Sequence, residues 1–177
     1  MADKPTFPPT QRIGILVFDG FEPIDVFGFV EAFAIARFLG TGYASPPPYP
    51  FETVLIASKI AKVKSANGPS VAPDLDLSQA LQRSLDLLMV PGGGGTWPLL
   101  DETSDPKSVA MLVDWMRARD KKVRIMASVC TGAAVLAKCG LDVRASDSTR
   151  GGSVGLIGGI FEFRFVPHIR PRNPSVC

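Results

Sequence analysis

Three short apolar runs constrain the fold of this chain more than any other feature. They are Ile13 to Phe18, Leu85 to Val90 and Val123 to Ser128, and each stops at a turn containing glycine. Runs of this length, without polar alternation, read as strands buried on both faces of a parallel sheet. The spaces between them carry helical patterns. Pro23 sits where a helix starts, and Ile24, Phe27, Val30, Glu31, Ala34 and Phe38 continue the spacing to about Leu39. Asp105-Pro106 caps a second helix, from Lys107 to about Arg119, and a third runs from Ala133 to Cys139. Phe51 to Ala57 is a further strand, Val63 to Val71 a small hairpin about Ala66-Asn67-Gly68-Pro69, and Leu77 to Gln82 a short helix. Gly40 to Pro50 is a loop. Alternating strands and helices predict an α/β sandwich with a mostly parallel sheet.

In such sheets the ligand lies beyond the carboxyl ends of the strands. Two segments fall there. Ser128-Val129-Cys130-Thr131-Gly132 joins a strand to a helix by a sharp turn, the layout of a nucleophile elbow. The turn lifts Cys130 out of the sheet, and the start of the following helix favours a thiolate. The competing assignment is an inert core cysteine. Pro91-Gly92-Gly93-Gly94-Gly95 follows Val90, and N–H groups of that turn, at Gly93 and Gly94, could face developing negative charge. It is no phosphate loop, because the Gly-Lys-Ser/Thr ending is missing. Asp25, in the first turn of the first helix, lies near the same edge and could carry a proton if burial raised its pKa. From position alone, a helix-start aspartate favoured by the dipole is the better assignment, with Glu22 and Glu31 as weaker rivals.

Composition narrows the chemistry. The 177 residues predict one domain, and 46% hydrophobic content predicts a globular one. With 19 basic and 17 acidic residues the net charge is +2, and no basic stripe suggests nucleic acid. One histidine, with cysteines only at 130, 139 and 177, fits neither a zinc site nor a disulfide framework. Met1 to Gln11 is polar and proline-rich, without the apolar core of a signal peptide, and is expected to be disordered. No apolar stretch is long enough to span a membrane, and a cytoplasmic location is expected.

Arg12 to Gly140 resembles the DJ-1/PfpI superfamily. The resemblance rests on Ile13-Gly14-Ile15-Leu16-Val17-Phe18-Asp19-Gly20, Asp25-Val26-Phe27-Gly28-Phe29-Val30-Glu31, Val90-Pro91-Gly92-Gly93 and Ser128-Val129-Cys130-Thr131-Gly132. It implies a three-layer, flavodoxin-like sandwich, like that of class I glutamine amidotransferases. Within the superfamily, the Asp25 block with Cys130-Thr131-Gly132 is most similar to isonitrile hydratases. The resemblance then implies Cys130 as nucleophile, Asp25 as its acid/base, and Thr131 and Gly93 as pocket or N–H positions. It implies a small-molecule isonitrile, or another small electrophile, as substrate, no cofactor or metal, and a homodimer. PfpI-type members carry histidine after the cysteine, where this chain has Thr131, and the one histidine, His168, lies in the tail. A Cys-His hydrolase pair is therefore disfavoured. AraC-type regulators in the same subgroup need a DNA-binding region beyond the domain, for which the chain is too short. Two alternatives stay open: DJ-1-type chemistry on glyoxals or oxidant sensing through a sulfinic acid at Cys130, and a non-catalytic member.

The chain thus divides into a disordered start (1–11), a DJ-1/PfpI-like domain (12–140) and an atypical tail (141–177). The tail holds five arginines, no lysine, five glycines and three prolines, and the family pattern fades across it. Only Ile160 to Val166 alternates like a strand. A truncated or altered C-terminal part is expected, which would leave apolar surface uncovered.

Overall fold

The structure is a computed structural model, and it describes residues 7–42 and 48–141. The expectations for the first six residues, for residues 43–47 of the loop from Gly40 to Pro50, for His168 and Cys177 and for the tail beyond Leu141 lie outside the described residues.

Among the described residues, seven strands and five helices follow one another as β1 (Gln11–Leu16), α1 (Pro23–Ile35), β2 (Phe51–Ala57), β3 (Val63–Lys64), β4 (Ser70–Val71), β5 (Leu75–Asp76), α2 (Leu77–Leu81), β6 (Leu87–Val90), α3 (Thr96–Leu100), α4 (Pro106–Asp120), β7 (Ile125–Ser128) and α5 (Gly132–Lys138). Five strands form one sheet in the order β5-β2-β1-β6-β7, and every neighbouring pair is parallel. The α/β fold with a parallel sheet is therefore as expected. β3 and β4 pair antiparallel, with Val63 opposite Val71, as the hairpin residues predict.

Strand alternation divides the core into two layers. Ile13, Ile15 and Val17 of the first strand segment join Leu87 and Met89 on the face packed by Val26 of α1. Leu16, Val54, Ile56, Leu88, Val90 and Met126 point the other way, onto α2, α4 and α5. Trp115 of α4 buries its ring there and donates its indole N–H to Leu77 O at 2.7 Å, tying α4 to α2.

Local chemistry sets the boundaries. Asp105 caps α4 by accepting from Ser108 N at 3.1 Å, with Pro106 in the first turn. Asp76 and Gln79 form a reciprocal capping box on α2. α1 stops at Ile35 rather than near Leu39. Ala36 turns extended, and the Arg37 guanidinium donates to Ala34 O and Ala36 O, satisfying carbonyls that another helical turn would have used. β6 starts at Leu87 because Asp86 is the junction of the central strands: Arg12 N donates to its carboxylate, and its own N–H donates to Arg12 O.

The strand order has a functional consequence. From β1 the chain moves outward through β2 and β5, then crosses back to β6 on the other side of β1. The switch point lies between β1 and β6, and in open α/β sheets the ligand crevice lies at the carboxyl ends of such strands.

Candidate active site

Three loops meet at that crevice: residues 17–22 after β1, 91–95 after β6, and 129–131 after β7. The glycine run interlocks with both of the others. Gly95 N donates to Gly20 O at 3.0 Å, and Glu22 N donates to Gly92 O at 2.8 Å. A Cβ on Gly93 would collide with Gly20 O and Glu22 N, and one on Gly95 with Asp19 O. On Gly92 it would lie 2.7 Å from both Cys130 Cβ and Thr131 N. Three glycines are thus required by close approach of backbone to backbone. Gly94 meets nothing within 4 Å and is exposed.

Cys130 is the one non-glycine residue among the described residues with positive φ, at 54°. The elbow is therefore a strained turn, of the kind that concentrates at functional sites. Val129 N still bonds to Val90 O at 3.1 Å, so the strand ladder holds up to the residue before the turn. Gly132 then passes so close to Val90 O that any side chain would clash. The result is an exposed thiol on a rigid support. Cys139, by contrast, is buried in the core, and burial pushes its pKa up to about 11.

Asp25 is 2% exposed. One carboxylate oxygen, Oδ2, accepts from Gly92 N at 2.9 Å, and Oδ1 has no partner among the described residues. Burial raises its pKa, the Gly92 hydrogen bond partly opposes this, and the nearby Glu22 charge adds to the rise. A carboxyl of this kind holds a proton to higher pH than a surface aspartate does. Gly92 thus touches both groups: its N–H holds Asp25, and its Cα packs on Cys130. Of the rivals, Glu22 is half-buried and joins the site through its backbone, and Glu31 is exposed on α1.

Thr131 Oγ1 accepts from Gly93 N at 3.1 Å. The Gly92 and Gly93 amides are thereby engaged, and the Gly94 amide has no partner among the described residues. Thr96 was missed in the sequence. It is fully buried at the start of α3, with Oγ1 2.8 Å from Gly93 O and 3.1 Å from Thr131 Oγ1. Gly93 lies three residues back, but Thr131 is 35 positions away, so no local pattern marks Thr96 as part of the site. Among the described residues no three His, Cys, Asp or Glu side chains gather as a metal site, and no helix is long and apolar enough to cross a membrane. A groove of about 390 Å³ lined by Ile13, Phe33, Phe51, Leu87 and Ile125 lies at the opposite end of the sheet, near the strand starts and away from Cys130.

A parallel sheet with a cysteine elbow and a buried acid at its switch point defines a class of cysteine-bearing α/β proteins. Residues 11–147 match the DJ-1/PfpI family, which is more than half of the chain, and the protein belongs to that family. It is 27% identical over 130 residues to an isonitrile hydratase of Pseudomonas putida, across 73% of this chain and 48% of that protein. Among solved structures, a ThiJ/PfpI family protein of Pseudomonas syringae superposes with a TM-score of 0.59 at 22% identity, over 79% of this chain and 54% of that one. Drosophila melanogaster DJ-1beta superposes with a TM-score of 0.54 at 19% identity, over 76% of this chain and 63% of that one. The chain thus spans about half the length of the curated relative it matches.

Proposed function

We propose that the chain is an isonitrile hydratase-like enzyme that adds water to an isonitrile to give an N-formamide. The observation that carries this is Gly92, which sets a strained, exposed cysteine and a buried, proton-holding carboxyl on two sides of one residue. The similarity to the Pseudomonas putida isonitrile hydratase supports the choice of substrate class.

The Cys130 thiolate attacks the terminal carbon of R–N≡C and forms a C–S bond. The carbon becomes carbanionic and takes the proton of Asp25, giving the thioimidate R–N=CH–S. Water then adds across the C=N bond, its hydroxyl to carbon and its proton to nitrogen. Collapse to the carbonyl breaks the C–S bond, regenerates the thiolate and returns the hydroxyl proton to Asp25. The sum is R–N≡C plus H₂O giving R–NH–CHO, with both groups restored. Asp25 must begin as the acid, which is the direction in which burial moves it. In this reading Thr131 and the amide of Gly94 would line the place where the reacting atoms sit. The steps require no metal or organic cofactor. A reducing, cytoplasmic compartment would keep Cys130 as a thiol, and a homodimer is the expected assembly.

The test is turnover of a simple aryl isonitrile by the purified protein, beside Cys130→Ala, with the N-formamide quantified. Product from the wild type alone is expected. A fully active Cys130→Ala variant contradicts the proposal, and a wild type without product moves the cysteine to other chemistry, oxidation first.

A further inference from the structure

Resting on the hydratase assignment, we infer that Thr96 is a positioning residue that presents Thr131 Oγ1 to the site as a hydrogen-bond acceptor, so that Thr131 orients the water which resolves the thioimidate. Thr96 has one hydroxyl hydrogen and two acceptors in reach, Gly93 O at 2.8 Å and Thr131 Oγ1 at 3.1 Å. The shorter contact takes the hydrogen. Thr96 Oγ1 and Thr131 Oγ1 lie 3.1 Å apart, and with the Thr96 hydrogen on Gly93 O the proposed donor of that bond is the Thr131 hydroxyl. Gly93 N–H in turn donates to Thr131 Oγ1 at 3.1 Å.

The three bonds close a ring. Gly93 N–H donates to Thr131, Thr131 to Thr96, and Thr96 back to Gly93 O. Thr96 is fully buried, so water cannot replace any of its bonds without opening the fold. Thr131 is only partly buried and sits next to Cys130. Its single hydrogen is committed inward. What it offers outward is a lone pair, which accepts from an O–H or N–H but does not donate. Thiolate attack on R–N≡C brings no hydrogen-bond donor to the site. Water does, through its O–H, and so does the nitrogen once it carries a proton. The ring therefore bears on the second half of the reaction and leaves the first half untouched. Without Thr96, the Thr131 hydrogen has no inward partner of equal quality, since Gly93 O lies 3.4 Å away. It then turns outward and meets the water with the wrong polarity.

The experiment uses the full chain with an aryl isonitrile. Formamide release is followed together with the Cys130 adduct, by intact mass after rapid acid quench, for wild type, Thr96→Val and Thr96→Ser. Adduct formation itself reports a folded site. Thr96→Val is expected to form the adduct at the wild-type rate, to accumulate it, and to release formamide at least tenfold more slowly. Thr96→Ser, which keeps the hydroxyl, restores release to within about threefold. Wild-type release from Thr96→Val, equal slowing of adduct formation and release, or a Thr96→Ser variant as slow as Thr96→Val each overturns the inference alone. A wild type that forms neither adduct nor formamide overturns the hydratase assignment and the inference with it.

Discussion

Cys130 holds a left-handed backbone that costs a residue with a side chain about 1–2 kcal/mol. Glycine would relieve that cost, so Cys130→Gly should be more stable than Cys130→Ala by about 1 kcal/mol in urea unfolding, although neither has a nucleophile. Equal stability would mean that the turn is not strained. Asp25 makes a pH prediction. Its ordinary value is 3.8, and the folded value is raised, chiefly by burial. The stability it lends as a neutral group is fully present below pH 3.8 and is lost as pH rises through the folded value. Asp25→Asn cannot ionise. Measured against wild type between pH 3.5 and pH 7, it should gain stability as pH rises above 3.8 and level off once pH passes the raised folded value. A difference that stays flat across that range would show an unshifted carboxyl. Cys130 stood out in the sequence by its turn, whereas Asp25 by position read better as a helix-start aspartate and was singled out by the family resemblance. Thr96 did not, because a buried hydroxyl is recognised by its partners, and Thr131 is 35 positions away.

At the scale of elements, the glycine loop gives the sharpest contrast. Gly95→Ala places a methyl group into Asp19 O and should cost about 3 kcal/mol, with the loop after β1 displaced. Gly94→Ala meets open space and should stay within about 0.5 kcal/mol of wild type. Chemical denaturation of the two variants side by side checks this, and equal losses would contradict the interlock. The sequence marked 91–95 as a turn with donors for a ligand. It could not show that most of its glycines serve loop contacts, or that the Gly92 and Gly93 amides are already bonded. Elements built on long apolar runs or capped by Asp and Pro were legible: β2 and the β3–β4 hairpin fall where their residues predict, and α4 starts at its cap. The short α3 was not, since a five-residue helix after four glycines is held by its contacts with α5 and not by propensity.

For the whole molecule, one crossover explains where the site is. Because the order of strands reverses between β1 and β6, the loops after those strands come together at the switch point and interlock there, and β7 delivers Cys130 beside them. Asp25, Gly92 and Cys130 come from segments far apart in sequence, so their juxtaposition depends on strand order, which alternation alone does not specify. The fold class was legible from the apolar runs, and the meeting of the two groups on Gly92 was not. The proposed chemistry requires those two groups to act as one unit. The most direct measurement is formamide turnover by wild type, Cys130→Ala, Asp25→Asn and the double variant at one pH. Groups that act as a unit lose about as much singly as together, so each single variant should fall to the level of the double. Turnover by Cys130→Ala, or losses of the two single variants that multiply independently in the double, would contradict it.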